Sequence, residues 1–388
     1  MLNKFIKIKP TDIPILKKLS LYKLLVISQF SIALFFIITT ILISRQVSHF
    51  VTMDYGFNPE GIINVELQGN DYLKVKNELG KISNVKSISG CEFALCSGIS
   101  QGIKIKEDES DEEIQMSSMI ITPEFIEHLD IKLLAGQNFE NDYNQKQEKF
   151  IIVNQQTLPA LHLQNPIEAI GKSLIMEGSP VTIIGVVKDF NYHLPFTKIE
   201  PFAFRYQQEN LRHMNIKLST TSNTEKTLQQ LEAAWKEVDP VHAIEYAFFK
   251  DQLKSSFQIF NDIGKLIGFF AFLAIGISCF GLIGITTFST ESRLKEVSVR
   301  KVMGAKIHQI VFTLSRGLIL LILISIVISA PFTYIINNLW LQQMVNKTEF
   351  SWDIMLFGIL LTLVLGLMSV VVQTIKVARS NPVLTLNE

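Results

Sequence analysis

The sequence predicts a membrane protein with four transmembrane helices and a large mixed α+β extracytoplasmic domain between the first and second helices. Hydrophobic residues make up 48% of the 388 residues, and the mean hydropathy is +0.28. They concentrate in four apolar stretches, which we place at residues 24–44, 266–288, 317–335 and 354–372. Each has about the 20 residues that a helix needs to cross a bilayer. The polar, mixed sequence of residues 45–262 predicts the domain.

The first apolar stretch follows a basic N-terminus. Residues 1–23 contain six lysines and one acid, Asp12. A cleaved signal peptide is the alternative interpretation, but the apolar run is long, and Arg45, Gln46 and Val47 follow it without a small-residue cleavage site. Because positively charged segments stay on the cytoplasmic side, we expect an uncleaved first helix with a cytoplasmic N-terminus.

Three segments of the extracytoplasmic domain have helical patterns. The spacing of Leu73, Val75 and Leu79 predicts a short amphipathic helix with these residues in the core. Residues 224–238 predict a second amphipathic helix, which the following Asp-Pro pair ends. Residues 248–262 predict a third. We expect this third helix to run directly into the second transmembrane helix and to connect the domain to the membrane without a flexible joint.

Two other segments of the domain suggest β-structure. The β-branched residues of the stretch 181–187 are typical of a buried strand. The acidic run 107–113 predicts the solvated tip of a hairpin. It is not a calcium loop, because ligands at alternate positions around a central glycine are missing from the run.

The sequence contains no pattern that predicts catalysis, a metal site or nucleic-acid binding. Gly171-Lys172-Ser173 resembles the end of a P-loop, but Pro166 stands where that motif requires a glycine. The histidines are scattered and lack zinc-ligand spacing. For Asp189 and His193, the acid/histidine pair that we singled out, we expect a turn contact. The net charge is zero, without the clustered basic face that nucleic-acid binding requires.

The three cysteines are too few for a disulfide framework. Cys91 and Cys96 lie in the extracytoplasmic domain, where an oxidising compartment could pair them. We favour two isolated thiols that an impermeant thiol reagent reaches from outside. Cys279 lies within an apolar stretch and is interpreted as a small packing residue.

Small residues recur in the second transmembrane helix. Gly264 and Gly268 form one small-xxx-small pair, and Ala274 and Ser278 form another. Such residues let helices approach closely. We therefore expect the small-residue faces of the first and second transmembrane helices to form the contact between two copies of the chain, or between this chain and a similar one.

The charged segment 289–311, between the second and third transmembrane helices, is the candidate functional site. The pairs Glu291/Lys295 and Glu296/Arg300 have the acid four residues before the base, the favourable order on a helix surface. Gly304 is a natural helix terminator. Charge spacing alone leaves a second interpretation open, in which the segment is a solvated loop that only orients its neighbours in the membrane.

The amino-acid sequence of the same segment resembles the coupling region of FtsX-like and MacB-type ABC transporter permeases. The matching residues are Glu291, Arg293, Lys295, Glu296, Val297, Val299, Arg300, Lys301, Gly304 and Ala305. Ser298 stands where a glycine is usual. The stretches 121–139, 150–161 and 181–204 resemble the family's extracytoplasmic domain, and residues 375–388 resemble its Asn-Pro-Val-x-x-Leu ending.

The resemblance implies a permease domain over residues 263–388 that docks on a separate ABC ATPase. Glu291, Arg293, Lys295, Glu296, Arg300, Lys301 and Gly304 are the implied coupling residues. ATP and Mg²⁺ would bind to the ATPase, so we expect no catalytic, cofactor or metal residue on this chain. We also expect location in the bacterial inner membrane, both termini in the cytoplasm, and a periplasmic partner or substrate.

Three points stay open from the sequence. Many relatives carry eight helices in two halves, so this chain is either a natural half-permease, which would form a homodimer or pair with a similar half, or a piece of a longer one. Within the family, a non-transporting FtsX-type scaffold that activates a cell-wall hydrolase is the alternative function. A membrane sensor or receptor is the alternative from another class.

Overall fold

The computed structural model describes residues 21–108, 112–140, 148–207, 209–219, 224–291, 303 and 305–378. The chain divides into two compact units. The inserted domain consists of His49–Gln258 with Met344–Asn346. The helical unit consists of the described residues of Met1–Ser48, Ile259–Gln343 and Lys347–Glu388.

In chain order the elements are α1 (Leu21–Thr52), β1 (Ile62–Glu66), α2 (Tyr72–Leu79), β2 (Val85–Cys91), β3 (Gln101–Lys106), β4 (Ile114–Ile120), α3 (Phe125–His128), β5 (Leu133–Gly136) and β6 (Phe150–Asn154). They continue with α4 (Thr157–Ala160), α5 (Pro166–Ala169), β7 (Ser173–Met176), β8 (Ser179–Val187), β9 (Phe202–Arg205), β10 (His213–Leu218) and α6 (Thr224–Val238). The last are β11 (Tyr246–Phe248), α7 (Phe249–Ser256), α8 (Gln258–Glu291), α9 (Ile307–Leu341) and α10 (Trp352–Ala378).

Four helices, α1, α8, α9 and α10, are long and apolar enough to cross a membrane. Each of them contains one of the four apolar stretches singled out in the sequence. The mixed α/β domain lies between α1 and α8 along the chain. This arrangement confirms the predicted fold class.

One part of the inserted domain is a four-stranded antiparallel sheet with the strand order β11-β1-β10-β2. Helix α2 connects β1 to β2, and α6 connects β10 to β11. This is the split β-α-β-β-α-β arrangement of ferredoxin-like domains. Val75 and Trp235, from the two helices, lie in one buried cluster with Ile63 and Ile216 of the sheet.

The other part, between β2 and β10 in the chain, is a closed ring of six strands. Its order is β8-β6-β9-β4-β3-β7, and pairing of β7 with β8 closes the ring. The pairs β4–β9 and β6–β8 are parallel, and the other four pairs are antiparallel. Apolar side chains such as Ile105, Ile151, Val153 and Ile183 are fully buried in one cluster. The ring is therefore a packed barrel.

Strand β8 organises the barrel because it pairs with three neighbours. Its first half pairs with β7, most of its length with β6, and its last residues with the extra strand β5. Gly136 of β5 has a φ of +79°, and a Cβ at this position would collide with the carbonyl oxygen of Ile184. Only glycine permits this approach of β5 to β8.

The structure bears out most of the local predictions in the inserted domain. Helix α6 occupies the predicted range, and β8 contains the predicted β-branched strand. In α2, Val75 and Leu79 are buried and Leu73 is half-buried. Strands β3 and β4 pair in antiparallel register on either side of the acidic run, which confirms the hairpin.

The prediction of one continuous helix from residue 248 into the second transmembrane helix is wrong. Helix α7 ends at Ser256 and α8 begins at Gln258, with Phe257 between them at φ −99° and ψ 8°. Phe257 is fully buried and stacks on Phe50 with 5.3 Å between the ring centroids. The helical path is therefore interrupted for one residue, whose side chain is packed in the inserted domain.

In the helical unit, α1 carries a buried apolar row at intervals of four residues. The row consists of Val26, Phe30, Leu34, Ile38 and Leu42. Residues four apart lie on one face of a helix. The row shares a buried cluster with Leu282 of α8 and with residues of α9 and α10, so α1 packs along this face.

The small residues of α8 face α1 of the same chain. A Cβ at Gly264 would lie 3.1 Å from Ile43 Cγ2, and one at Gly268 would lie 3.3 Å from Thr40 Cγ2. Ser278 is buried, and its hydroxyl donates to the Ala274 carbonyl at 2.7 Å. The prediction that this face joins two copies of the chain is therefore wrong for Gly264 and Gly268, which pack on α1. For Ala274 and Ser278 it stays a prediction.

Candidate functional site

The predicted coupling residues lie largely outside the described residues. Arg293, Lys295, Glu296, Arg300, Lys301 and Gly304 are among those not described. Glu291 is the last residue of α8. The structure thus leaves the predicted docking role of the segment untested.

The structure does describe how the segment enters α9. The backbone N–H of Lys306 donates to Gln309 Oε1 at 3.1 Å. The backbone N–H of Gln309 in turn donates to the Lys306 carbonyl at 3.0 Å. A side-chain acceptor at this position caps a helix and fixes where it begins. The start of α9 is therefore defined by local sequence at Lys306 and Gln309.

A line of buried polar side chains on α9 is the functional feature that the sequence reasoning missed. Ser325, Ser329, Thr333 and Asn337 recur at intervals of four and share one face of the helix. All four are buried. Burying a polar group in an apolar span costs free energy unless the group is hydrogen-bonded, so the cost at each position depends on the hydrogen-bond partner of the side chain. Their four-residue spacing within an apolar stretch is the sequence signal that could have revealed them.

Asn337 is the centre of this line. Its Nδ2 donates to Thr39 Oγ1 of α1 at 3.1 Å and to the Thr333 carbonyl at 2.9 Å. Its Oδ1 accepts a hydrogen bond from Trp340 Nε1 at 3.2 Å. The Thr39 hydroxyl donates onward to the Phe35 carbonyl at 2.8 Å. Asn337 thus joins α9 to α1 through a buried network.

Two further hydrogen bonds connect the helices. The Ser31 hydroxyl of α1 donates to the Ser325 carbonyl of α9 at 3.3 Å. The hydroxyls of Ser315 on α9 and Thr374 on α10 lie 3.2 Å apart. Inside an apolar bundle such bonds contribute about 0.6 kcal/mol on average and up to about 1.7 kcal/mol. Together with Asn337 they set the register of α9 against both neighbours.

The connection between α9 and α10 is held to the end of α1. The Arg45 guanidinium donates to Ser351 Oγ at 3.0 Å and pairs with the Asp353 carboxylate. The backbone N–H of Thr348 donates to the buried Gln46 Oε1 at 2.7 Å. These contacts fix the end of α1 against the start of α10.

In the inserted domain, a buried ion pair lies beside a cleft of about 690 Å³. Arg205 Nε donates to Glu148 Oε1 at 2.8 Å, and Nη2 donates to Oε2 at 2.7 Å. Gln207 Nε2 also donates to Glu148 Oε2, at 2.9 Å. Both charges are satisfied within the barrel, as a structural ion pair requires.

His128 occupies the seam between the two parts of the inserted domain. Its Nδ1 lies 3.3 Å from Ser87 Oγ of β2, and its Nε2 is buried without a hydrogen-bond partner. Burial lowers the pKa of His128 to about 4, and the nearby Lys217 ammonium acts in the same direction. His128 is therefore neutral in the folded domain at neutral pH.

The predicted contact between Asp189 and His193 is wrong. Asp189 Oδ1 accepts from the Gln156 backbone N–H at 2.8 Å, and His193 Nε2 lies 3.0 Å from Ser100 Oγ. The acid/histidine pair that the sequence reasoning missed is Asp239 and His242, whose Oδ2 and Nδ1 lie 2.9 Å apart. It closes the turn after α6, and the signal for it is an acid followed by a histidine three positions later.

The remaining candidates are structural residues. Lys172, in the sequence that resembles a P-loop, pairs with Glu107 at 2.7 Å and precedes a strand instead of a helix. Cys91 and Cys96 are free, which confirms two isolated thiols, but each is only 1% exposed. The prediction that an impermeant reagent reaches them is therefore wrong. Across the described ranges, three or more His, Cys, Asp or Glu residues do not gather as metal ligands.

Two family models match this chain. The MacB-like periplasmic core domain matches residues 24–234, and the FtsX-like permease C-terminal domain matches residues 268–382. The first of these covers more than half of the chain.

Relatives in two species agree with these matches. The macrolide export ATP-binding/permease protein MacB of Escherichia coli is 22% identical over 265 residues, which are 66% of this chain and 41% of MacB. The chain thus spans about two fifths of MacB. The uncharacterized ABC transporter permease YknZ of Bacillus subtilis (strain 168) is 23% identical over 317 residues, which are 78% of this chain and 77% of YknZ.

Solved structures resemble the chain weakly. The periplasmic region of MacB from Actinobacillus actinomycetemcomitans has a TM-score of 0.39 and 13% identity, covering 52% of this chain and 94% of that region. The extracellular domain of the YknZ transporter from Gram-positive bacteria has a TM-score of 0.35 and 12% identity, covering 48% of this chain and 99% of that domain. The assignment to a family therefore rests on the sequence models. By these models the chain belongs to the FtsX-like and MacB-type permeases, as a multi-pass membrane protein with an extracytoplasmic domain between its first and second helices.

Proposed function

We propose that this chain is the permease subunit of an ABC transporter that transmits ATP-driven motion to its extracytoplasmic domain. The observation that carries the proposal is the continuity of α1. This helix runs unbroken from Leu21 to Thr52, although the boundary of the inserted domain falls at His49. A helix is stiff along its axis, so a displacement of α1 reaches the domain directly. The substrate would be exported or extracted as the domain moves.

ATP hydrolysis is assigned to a separate subunit. The sequence of this chain contains no complete P-loop, so ATP and Mg²⁺ would bind to a partner ATPase. The segment 289–311 would dock on that partner, with the alternating charges of Glu291 to Lys301 facing complementary charges. The segment joins α8 to α9, so movement of the ATPase would displace both helices together.

The proposed orientation follows from the distribution of positive charge. The basic N-terminus, the basic loop between α8 and α9 and the basic C-terminal tail all fall on one side of four spans. Positive charge stays in the cytoplasm, so this side is the cytoplasmic one and the inserted domain is periplasmic. The membrane would be the bacterial inner membrane.

We further propose that two copies of the chain, or this chain and a similar half-permease, act together. A pair of ABC ATPase subunits offers two docking surfaces, and each chain contains one coupling segment. The contact between the chains must use a surface other than Gly264 and Gly268, which face α1. A periplasmic partner of the inserted domain completes the proposed assembly.

The test is purification of the full chain from its own membranes, with mass spectrometry of the proteins bound to it. We expect an ABC ATPase among them, and we expect ATP hydrolysis by the complex in lipid vesicles to exceed that of the ATPase alone. A complex that hydrolyses ATP but moves no substrate would favour the scaffold that activates a hydrolase. A chain that retains no ATPase after mild cross-linking would contradict the proposal.

A further inference from the structure

Two hydroxyls on α9 differ from the other buried hydroxyls of the helical unit, each of which has a hydrogen-bond partner: Ser315 lies 3.2 Å from Thr374 Oγ1, and Ser325 donates to the Ile322 carbonyl at 2.7 Å. Thr39, Ser278, Thr362 and Thr374 each donate to the carbonyl four residues earlier, at 2.6–2.8 Å. Ser329 and Thr333 are 3% and 0% exposed, but their hydroxyl oxygens are buried without any hydrogen-bond partner. A buried unbonded hydroxyl costs about 1–3 kcal/mol. Their place in the fold therefore requires an explanation.

These hydroxyls lie next to the bond that joins α1 to α9. Thr333 is one helical turn before Asn337 on the same face, and Ser329 is one turn before Thr333. Asn337 holds Thr39 of α1 at 3.1 Å. If α1 moved by one turn toward the start of α9, Thr39 would come level with the unbonded Thr333 hydroxyl. One turn is a displacement of about 5.4 Å.

The packing of α1 repeats at the same interval. Its buried row has an apolar side chain at every fourth residue, from Val26 to Leu42. A shift of one turn would therefore replace each apolar side chain by the next one in the row. Such one-turn shifts between packed helices are a known form of two-state transition.

The glycines of α10 fit both positions of α1. A Cβ at Gly358 would lie 2.5 Å from Ile38 Cγ1, and one at Gly366 would lie 3.1 Å from Phe30 Cε1. Gly358 and Gly366 are eight residues apart, and so are Ile38 and Phe30. After a one-turn shift, Leu42 would lie against Gly358 and Leu34 against Gly366. Both glycines would again receive an apolar side chain.

We propose that Asn337 positions α1 in one of two registers against α9, and that the Thr333 hydroxyl receives Thr39 in the other. The proposal rests on the proposed function, in which movement of α1 carries the signal to the extracytoplasmic domain. Asn337 holds the register of this structure through the bond that its Nδ2 donates to Thr39 Oγ1 of α1. The shifted register loses the bond of Asn337 to Thr39, the bond of Ser31 to Ser325 and the contacts of Arg45 and Gln46 near the start of α10. It gains a bond for Thr333, so the register of this structure is the preferred one and the shifted register is the minor one.

The two registers can be distinguished with cysteine pairs that leave Asn337 in place. Ser31 Oγ lies 3.3 Å from the Ser325 carbonyl in this register. One turn of movement would bring Ser31 level with Leu321. We therefore compare the Ser31→Cys/Ser325→Cys pair with the Ser31→Cys/Leu321→Cys pair, both in a Cys279→Ala background. The full chain is treated in membranes with a short bifunctional methanethiosulfonate, and the cross-linked fraction is measured.

We expect Ser31→Cys/Ser325→Cys to cross-link more in the otherwise unchanged chain. Asn337→Leu should raise the Ser31→Cys/Leu321→Cys product at least threefold, because it removes the bond that holds the first register. Thr333→Val, which keeps the shape of the side chain, should lower that product. Asn338→Leu is the matched control, since it makes the same change on the neighbouring, half-buried residue, and it should change neither.

Equal effects of Asn337→Leu and Asn338→Leu on the product ratio would overturn the two-register proposal. Absence of the Ser31→Cys/Ser325→Cys product from correctly inserted chain would overturn it as well. If Asn337→Leu fails to insert, Thr333→Val still tests the proposal, because it should lower the yield of the Ser31→Cys/Leu321→Cys product. Adding a non-hydrolysable ATP analogue to membranes that contain the ATPase separates the two proposals. A ratio that responds to Asn337→Leu but not to nucleotide supports the two registers and contradicts the proposed function.

Discussion

Phe257 stacks on Phe50, with the two rings inclined at 21° and both side chains fully buried. Phe50 lies near the end of α1 and Phe257 lies between α7 and α8. Both belong to the inserted domain, and the Phe50 carbonyl also accepts a hydrogen bond from the Tyr55 hydroxyl. The two chain segments that enter and leave the domain are thus joined by one aromatic contact.

Replacing Phe257 by Ala should destabilise the inserted domain by about 3–5 kcal/mol, the usual effect of truncating a fully buried phenylalanine. Thermal unfolding of the full chain in detergent, followed by tryptophan fluorescence, measures the change. Phe150→Ala is the control, because Phe150 is 37% exposed in the same domain and should lose much less stability. Similar losses for both variants would show that the stack contributes little.

Replacing glycine by leucine in the helical unit should lower the melting temperature at one position and leave it unchanged at another. Gly358→Leu places a side chain where a Cβ alone would lie 2.5 Å from Ile38 Cγ1, whereas Gly276 has no heavy atom within 4 Å of such a Cβ. Overpacking of a buried site costs about 1–3 kcal/mol. We expect Gly358→Leu to lower the melting temperature in detergent and Gly276→Leu to leave it near that of the unchanged chain. A reversed order would contradict the packing of α10 on α1.

Acid should destabilise the inserted domain through His128. Burial holds the pKa of His128 at about 4 in the folded domain, against 6.5 when exposed. As the pH falls, the unfolded chain therefore takes up the proton before the folded domain does. The free energy of unfolding is highest above about pH 6.5 and decreases as the pH falls toward 4. The Lys217 ammonium opposes protonation, and the Asp130 and Glu124 carboxylates favour it. The shift corresponds to about 3 kcal/mol.

The measurement is the free energy of unfolding of the full chain between pH 7 and pH 4. His128→Gln should flatten this part of the profile, since it removes the titrating ring. His162→Asn is the control, because His162 is exposed at a positive φ that asparagine tolerates, and it should keep the original slope. A slope that persists unchanged in His128→Gln would assign the pH dependence to other groups.

The sequence predicts the elements of this protein better than it predicts their partners. The helix 224–238 follows from periodicity and the strand 181–187 from its β-branched residues, and both are local properties of the chain. The pairing of β2 with β10, which brings Cys91 opposite His213, joins segments distant in sequence, and local periodicity contains no information about it. For the same reason the split sheet and the closed barrel could not be foreseen.

The candidate site shows the same limit. The coupling residues were inferred from a charge pattern and a family resemblance, and the structure leaves them outside its described part. The small residues of α8 were recognised correctly as a close-packing face. Which helix covers that face depends on tertiary contacts, here Thr40 and Ile43 of α1. Asn337 was missed because a single polar residue in an apolar stretch does not by itself indicate a buried network. The signal is its four-residue spacing from Thr333, Ser329 and Ser325.

Thiol labelling tests the proposed orientation. Cys91 and Cys96 should not react in the folded protein, since both are buried and burial raises the pKa of Cys91 to about 12. Val241 is 81% exposed in the inserted domain. A cysteine in its place should react with an impermeant reagent in cells whose outer membrane is permeabilised and whose inner membrane is intact. A cysteine in place of Ser298 should react only after the inner membrane is opened. Labelling at position 298 from outside would reverse the proposed topology.

The coupling segment can be tested by exchanging two charges. The double variant Glu296→Arg and Arg300→Glu keeps the net charge and the four-residue spacing of the pair. If the segment only orients the protein, insertion and function should stay as they are. If it docks on an ATPase, each charge meets the wrong partner group, and like charges at an interface disfavour binding strongly. We expect at least a tenfold loss of co-purified ATPase and of stimulated ATP hydrolysis.

Gly304→Val provides a second perturbation of the same segment that involves no charge. Glycine ends helices because it adopts the left-handed backbone conformation easily, whereas valine does so poorly. Val at position 304 should therefore extend the helix and displace the docking residues, which lowers ATP hydrolysis more than it lowers insertion. The same replacement at Gly276, where a side chain meets open space, controls for the effect of valine itself. If both segment variants insert and couple normally, the orienting-loop interpretation is correct and the ATPase must dock elsewhere on the chain.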